Sequence, residues 1–273
     1  MIKVFVDSGS SIKQYEKEKY DVEILPLKIL LNGKEYLDGI NLDMDVFYDE
    51  LINNNQFPKT SLPSLNDAQN EVMKYVNEGY DVIILTISSG ISGTNNALRM
   101  LFSDEPKVHV IDSKTAVGGM KIIVHEINKY KDQPIEVVLE KVNALIPRIR
   151  VYAVPETLAY LHKGGRLSAV GYVAGTVLKI KPIIELRDKV SVANKTIGLK
   201  KAMAMIIDKL ENCDVNYPIV PSYTYQKENL DELISRTSEI YKKAMIDYDN
   251  LDPAIACHWG PNAFGYIFVK KED

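Results

Sequence analysis

The segment Val82-Ile83-Ile84-Leu85-Thr86-Ile87 is apolar at almost every position and runs straight into Ser88-Ser89-Gly90. A strand without polar and apolar alternation is covered on both faces, which is the condition of a parallel strand inside an α/β sheet. Such a strand needs parallel neighbours and helical crossovers, and the surrounding residues supply them. Ile2 to Val6 forms a strand ending at the corner Asp7-Ser8-Gly9-Ser10. Strand pairing follows over Glu23 to Leu37, with Asn32-Gly33 as a hairpin signal. Helical patterns cover about 43–54 and 65–78, and Val108 to Ile111 ends at Asp112-Ser113 before a helix reaching about residue 130.

The pattern changes near residue 150. Val151 to Val154 is a strand, 156–163 a helix, and Lys163-Gly164-Gly165-Arg166 a basic turn. A helical stretch then precedes two strands, Pro182 to Leu186 and Val190 to Ala193, whose short connection makes them antiparallel. Helices at about 197–212 and 226–244 flank a strand from Pro218 to Tyr223, and the chain closes with strands at Ile255 to Cys257 and Tyr266 to Val269. With 273 residues, against about 150 per domain, the chain reads as two α/β lobes, 1–150 with a parallel sheet and 151–273 with a mixed or antiparallel one.

Several functions are excluded by what is missing. There is no GxxxxGK[ST] loop, no GxGxxG after the first strand, and no second histidine after His125-Glu126. Gly90-Ile91-Ser92-Gly93 falls one residue short of a nucleophile elbow. Asp43 and Asp45 read as acids at a helix start. The 33 basic against 37 acidic residues give a net charge of −4, which offers nucleic acid no general attraction. The two cysteines, Cys213 and Cys257, form no CxxC, and no secretory signal or run of about 20 apolar residues is present, so the expected setting is the reducing cytoplasm.

Hydroxyl-rich corners stand where strands end: Asp7 to Ser10, Thr60-Ser61-Leu62-Pro63-Ser64, Ser88 to Thr94, and Asp112-Ser113. Ligands of open α/β sheets bind at these carboxyl ends, and hydroxyls with free backbone N–H groups favour an anion. No Lys or Arg lies within the corners, which suits a carboxylate better than a polyphosphate. Ser64 and Ser92 also fit as simple helix caps. Gly90 and Gly93 bracket Ser92 and allow close approach to its backbone. His258, placed at a strand end before Gly260-Pro261, faces a cleft as a donor to an anion or as a base for Ser92. Alternation along that strand sends Cys257 to the opposite face, and His109, His125 and His162 read as structural. Lys179 to Lys201 carries seven basic and two acidic residues, either a solvated face or a docking surface for an acidic protein or anionic headgroups. Three readings remain at this level: an anion carrier, a hydrolase or acyl transferase using Ser92 and His258, and a phosphate site at the glycine corners.

Taken in order, these segments resemble the DegV family of fatty-acid-binding proteins, which includes the FakB subunits of bacterial fatty acid kinase. The resemblance runs through Val6-Asp7-Ser8, Thr60 to Ser64, Ser89 to Thr94, Val110 to Ser113, Glu156 to Leu158 with Lys163 to Ser168, Lys181 to Ile184, and His258 to Pro261. It implies a two-lobed, non-catalytic protein that needs no cofactor or metal and holds one long-chain fatty acid between its lobes. The carboxylate would bond Thr60, Ser61, Ser92, Gly93 and His258, with Ser8, Ser113 and Arg166 supporting. In the FakB branch the acid is presented to a separate kinase subunit, and the acyl phosphate feeds phospholipid synthesis. Here Thr196 to Leu199 interrupts the basic cluster that the family often carries. The acyl slot is expected between Leu167 to Leu178 and the strand Ile183 to Leu186.

Overall fold

The computed structural model describes residues 1–167, 180–246 and 248–272. The continuous apolar run forms one of two inner strands, as expected. Strands β1 (Ile2–Asp7) and β6 (Asp81–Thr86) lie side by side, flanked by β2 (Val22–Leu25) and β7 (Val108–Asp112), all parallel, in the order β2-β1-β6-β7. A small antiparallel sheet joins β3 (Lys28–Leu31), β4 (Lys34–Leu37) and β5 (Lys59–Ser61) in the order β4-β3-β5. The Glu23 to Leu37 region is thus three strands in two sheets. Pro26 lies between β2 and β3, where its missing N–H breaks pairing, while Asn32 and Gly33 make the expected tight turn with φ of 51° and 75°.

The third sheet holds β8 (Ile149–Val154), β9 (Ile180–Arg187), β10 (Lys189–Ile197), β11 (Val220–Tyr223), β12 (Asp249–Asn250) and β13 (Phe264–Val269) in the order β10-β9-β8-β13-β11-β12. All its pairs are antiparallel except β11 with β12, so this sheet is mixed. β9 and β10 turn through Asp188 alone, at a φ of 65°. The helical stretch expected over about 167–178 lies, apart from Leu167, outside the described residues.

Two expected elements differ. The 226–244 helix is two short ones, Glu228–Ser235 and Glu239–Lys242. Ile255 to Cys257 is not a strand but part of a helix, Pro253–Trp259, which starts with Pro253 in its first turn and stops at Gly260, φ 75°. Proline favours that first position and a positive-φ glycine favours the stop.

One apolar cluster runs from Val6 and Leu85 of the parallel sheet through Met120 and Ile123 of the Gly118–Tyr130 helix to Val151, Ile184 and Ile267 of the mixed sheet. The carboxyl ends of β1, β6 and β7 therefore face the mixed sheet across shared packing. The turn at Asp188 sits on the central corner: the Ser88 hydroxyl donates to its carbonyl at 2.6 Å. No described helix is long and apolar enough to cross a membrane.

Candidate functional site

The corners of the parallel sheet are neighbours, as the strand order requires. Asp7 accepts the N–H of Gly9 at 2.9 Å and of Ile87 at 2.8 Å, and Asp112 accepts that of Ser89 at 3.0 Å. Beside them, Thr60 on β5, Ser92 before the Thr94–Leu101 helix, Arg166 after the glycine turn and His258 in the last turn of its helix line one cavity. Its other walls are apolar and include Ile87, Ile91, Leu186 and Trp259.

The Thr60 hydroxyl lies 3.2 Å from His258 Nε2. The Ser92 hydroxyl lies 2.9 Å from Thr94 Oγ1 and accepts the Thr94 N–H at 3.3 Å. Arg166 donates from Nε to the Ile91 carbonyl at 3.1 Å and from Nη1 to the Gly164 carbonyl at 2.5 Å, tying the two corners across the cavity. His258 Nδ1 is buried without a hydrogen-bond partner among the described residues. Phe57 stands edge-on to the His258 ring at 6.2 Å, with the Lys163 ammonium 5.0 Å from its ring centre.

Burial, and secondarily the nearby Arg166 charge, pushes the His258 pKa down from 6.5 to about 3. A histidine that binds its proton more weakly when folded adds stability above its ordinary value, and that stability is lost as pH falls from 6.5 toward 3. His258→Gln is therefore expected to lose stability less steeply than the parent between pH 6.5 and 4.5 in denaturant titrations; equal slopes would contradict a buried neutral imidazole.

A second cavity shares Ala116, Leu186 and Trp259 with the first. Strand register explains it. Ala153, Gly265 and Ser222 are cross-strand neighbours on β8, β13 and β11, a row of small residues on the face turned toward the parallel sheet. Tyr152, Phe264, Tyr266 and Phe268, of opposite alternation, pack on the far face.

Of the candidate residues, Thr60, Ser92, Arg166 and His258 share a cavity. Ser61 and Gly93 are exposed beside it. Ser8 and Ser113 are fully buried in structural roles: Ser8 donates to Asp38 at 2.7 Å and accepts the Leu27 N–H at 3.0 Å, and Ser113 donates to the Thr115 carbonyl at 3.1 Å. Gly90 serves packing beneath the turn, since a Cβ there would lie 2.3 Å from the Asp188 carbonyl oxygen. Cys257 is buried in a separate apolar cluster, so its exclusion stands on helix packing rather than strand alternation. Arg166, expected as a supporting residue, reaches in from the chain's second half and brings a cation to corners that carry none themselves.

Sequence reasoning missed Asp38, whose other oxygen accepts the Ala254 N–H at 2.9 Å and so holds the start of the His258 helix. Burial, followed by the charge of Asp252, raises its pKa to about 7. An isolated aspartate before Gly39 gives no sequence signal for this. No cluster of metal-binding side chains occurs among the described residues.

A family model described as "Uncharacterised protein, DegV family" matches residues 1–271. The chain belongs to the DegV family. A DegV domain-containing protein of Clostridium acetobutylicum is 31% identical, over 99% of each chain. Among solved structures, a stearic-acid-binding protein from Eubacterium ventriosum superposes with a TM-score of 0.87 at 25% identity over 99% of each chain. DegV of Bacillus subtilis, described as a fatty acid binding protein, gives a TM-score of 0.83 at 25% identity, again over 99% of each chain. DegV family proteins thus include fatty acid binders, and the parallel and mixed sheets found here belong to their α/β fold.

Proposed function

We propose that this chain binds one long-chain fatty acid between two lobes that divide near residue 150. The carboxylate sits among Thr60, Ser92, Arg166 and His258, and the acyl chain passes Trp259 into the second cavity. The observation that carries this reading is a cation-bearing cavity with polar groups lying next to an apolar one, the two sharing Ala116, Leu186 and Trp259 as walls. Burial of about fifteen methylenes at ~0.8 kcal/mol each supplies on the order of 12 kcal/mol before ordering costs. The tail provides affinity, and the head needs only charge balance and hydrogen bonds.

The head group's surroundings suit an acid that must react while bound. Two of the five Arg166 donors are engaged by carbonyls, which fixes the guanidinium in place and leaves Nη2 to meet the carboxylate. With the proton on Nε2, His258 donates to Thr60, whose own hydroxyl is then free to donate to the carboxylate. That tautomer leaves at Nδ1 a lone pair, a cheaper orphan than a buried N–H.

In this reading the protein is a carrier rather than an enzyme. It presents the carboxylate to a separate ATP-using fatty acid kinase subunit, and the acyl phosphate enters phospholipid synthesis. Exposed Arg187 and Lys189, on either side of the Asp188 turn that packs on the Ser88 corner, with Lys195, Lys200 and Lys201 farther along the chain, offer an acidic partner or anionic headgroups a surface. The hydrolase reading is disfavoured, because the hydroxyl of Ser92 is engaged by Thr94 and His258 Nε2 by Thr60.

Native mass spectrometry of the purified protein, followed by lipid extraction, tests the binding. One fatty acid per chain is expected; no recovered lipid together with no binding of added palmitate or oleate would overturn it. Adding a fatty acid kinase subunit and ATP should yield hydroxylamine-trappable acyl phosphate, and omitting the kinase should yield none.

A further inference from the structure

The row that floors the second cavity is not wholly apolar. Ala153 and Gly265 contribute no polar side chain, but Ser222 does. Ser222 is 6% exposed, lines the cavity, and its hydroxyl has no hydrogen-bond partner among the described residues. The tyrosine hydroxyls of the neighbouring strands are engaged on the far face, Tyr152 with Glu185 at 2.9 Å and Tyr266 with Thr237 at 2.9 Å. Asp249 stands beside Ser222 in register and is not part of the cavity wall; its Oδ1 accepts from Lys121 at 3.2 Å, while its Oδ2, like the Ser222 hydroxyl, has no hydrogen-bond partner among the described residues.

A chain of plain methylenes laid over this floor leaves the serine hydroxyl unsatisfied, a cost that buried polar groups ordinarily avoid. Alanine would pack against such a chain equally well. We propose that the acyl chain for which this cavity is built bears a hydroxyl group on the carbons that lie against Ser222. The inference rests on the fatty-acid reading and names the class within it: a hydroxylated long-chain fatty acid, held at its head by the Thr60 and His258 end and along its chain by Ser222. A hydroxyl placed against Val117, Val151 or Leu186 meets side chains with nothing to bond, so the site discriminates among positional isomers as well as between hydroxylated and plain chains.

The test is a competition series in which stearate and the positional isomers of monohydroxystearate displace a fluorescent fatty acid. The wild-type profile is expected to peak at one position or two adjacent ones, about ten-fold tighter than the remaining isomers. Ser222→Ala should flatten that peak while leaving stearate within about two-fold of its parent value. A flat wild-type profile with normal stearate binding would overturn the inference and leave the fatty-acid reading standing. So would a peak that survives Ser222→Ala, or a variant that loses stability with no change in profile, the sign of a serine that serves Asp249 instead. Failure of stearate and every isomer alike would overturn both.

Discussion

Replacing Arg166 by glutamine is expected to weaken fatty acid binding by at least about 100-fold, the largest single effect in this protein. The carboxylate is the only charge the ligand brings into a cavity whose other walls are mostly apolar, and Arg166 is the one cation among the described residues that line it. Removing one partner of a buried charge pair costs about 3–5 kcal/mol, because the remaining charge stays desolvated and unpaired. Each 1.4 kcal/mol is ten-fold, so 100-fold is the lower end of that range. Lysine should retain part of the affinity, since it keeps the charge but not the planar fork that reaches the carbonyls of Ile91 and Gly164 together. Displacement of a fluorescent fatty acid measures all three proteins, with melting of the ligand-free forms as the control for folding. Parent-like affinity in the glutamine variant would mean that the carboxylate lies elsewhere.

The parts of this protein that were legible in its sequence are those where one short segment carries the whole signal. The Val82 to Ile87 run has to be a buried parallel strand because both of its faces are apolar, and it is buried as expected. The hydroxyl corners were legible because Ser, Thr and Gly cluster where strands end. What composition does not carry is the direction of a hydroxyl: Ser8 and Ser113 resemble Thr60 and Ser92 on paper, yet the first two point into the protein's own backbone and carboxylates. The helix bearing His258 was hidden for a different reason. Pro253 to Cys257 is buried on every side, so its seven-residue helix shows no 3.6-residue period and reads as a strand. The second cavity was least accessible of all. Ala153, Ser222 and Gly265 are unremarkable singly and become a floor only through the register of three strands brought together from distant parts of the chain.

Gly164→Ala should reduce fatty acid affinity by about thirty-fold and lower stability by about 1–3 kcal/mol, and the reason is steric rather than conformational. Gly164 has φ −74° and ψ −8°, ordinary right-handed helical backbone that alanine adopts readily. The space beside it is what matters. A Cβ would lie 2.2 Å from His258 Nδ1 and 2.9 Å from Cε1, so the imidazole has to turn away. Turning it breaks the 3.2 Å contact between Nε2 and Thr60, and with it the orientation of the hydroxyl that meets the carboxylate. A hydrogen bond to a charged group is worth about 1.5–3 kcal/mol, and 2 kcal/mol is roughly thirty-fold. Stability and binding can be separated by a double-mutant cycle. With His258→Ala in place, the added methyl at Gly164 keeps only its 3.2 Å approach to the Tyr160 carbonyl, so the stability loss of the pair should be smaller than the sum of the two single losses. Binding should not recover, because the imidazole is gone. A single variant that binds as the parent does would show that the ring can shift without consequence, and Thr60 would then have to be oriented by some other group.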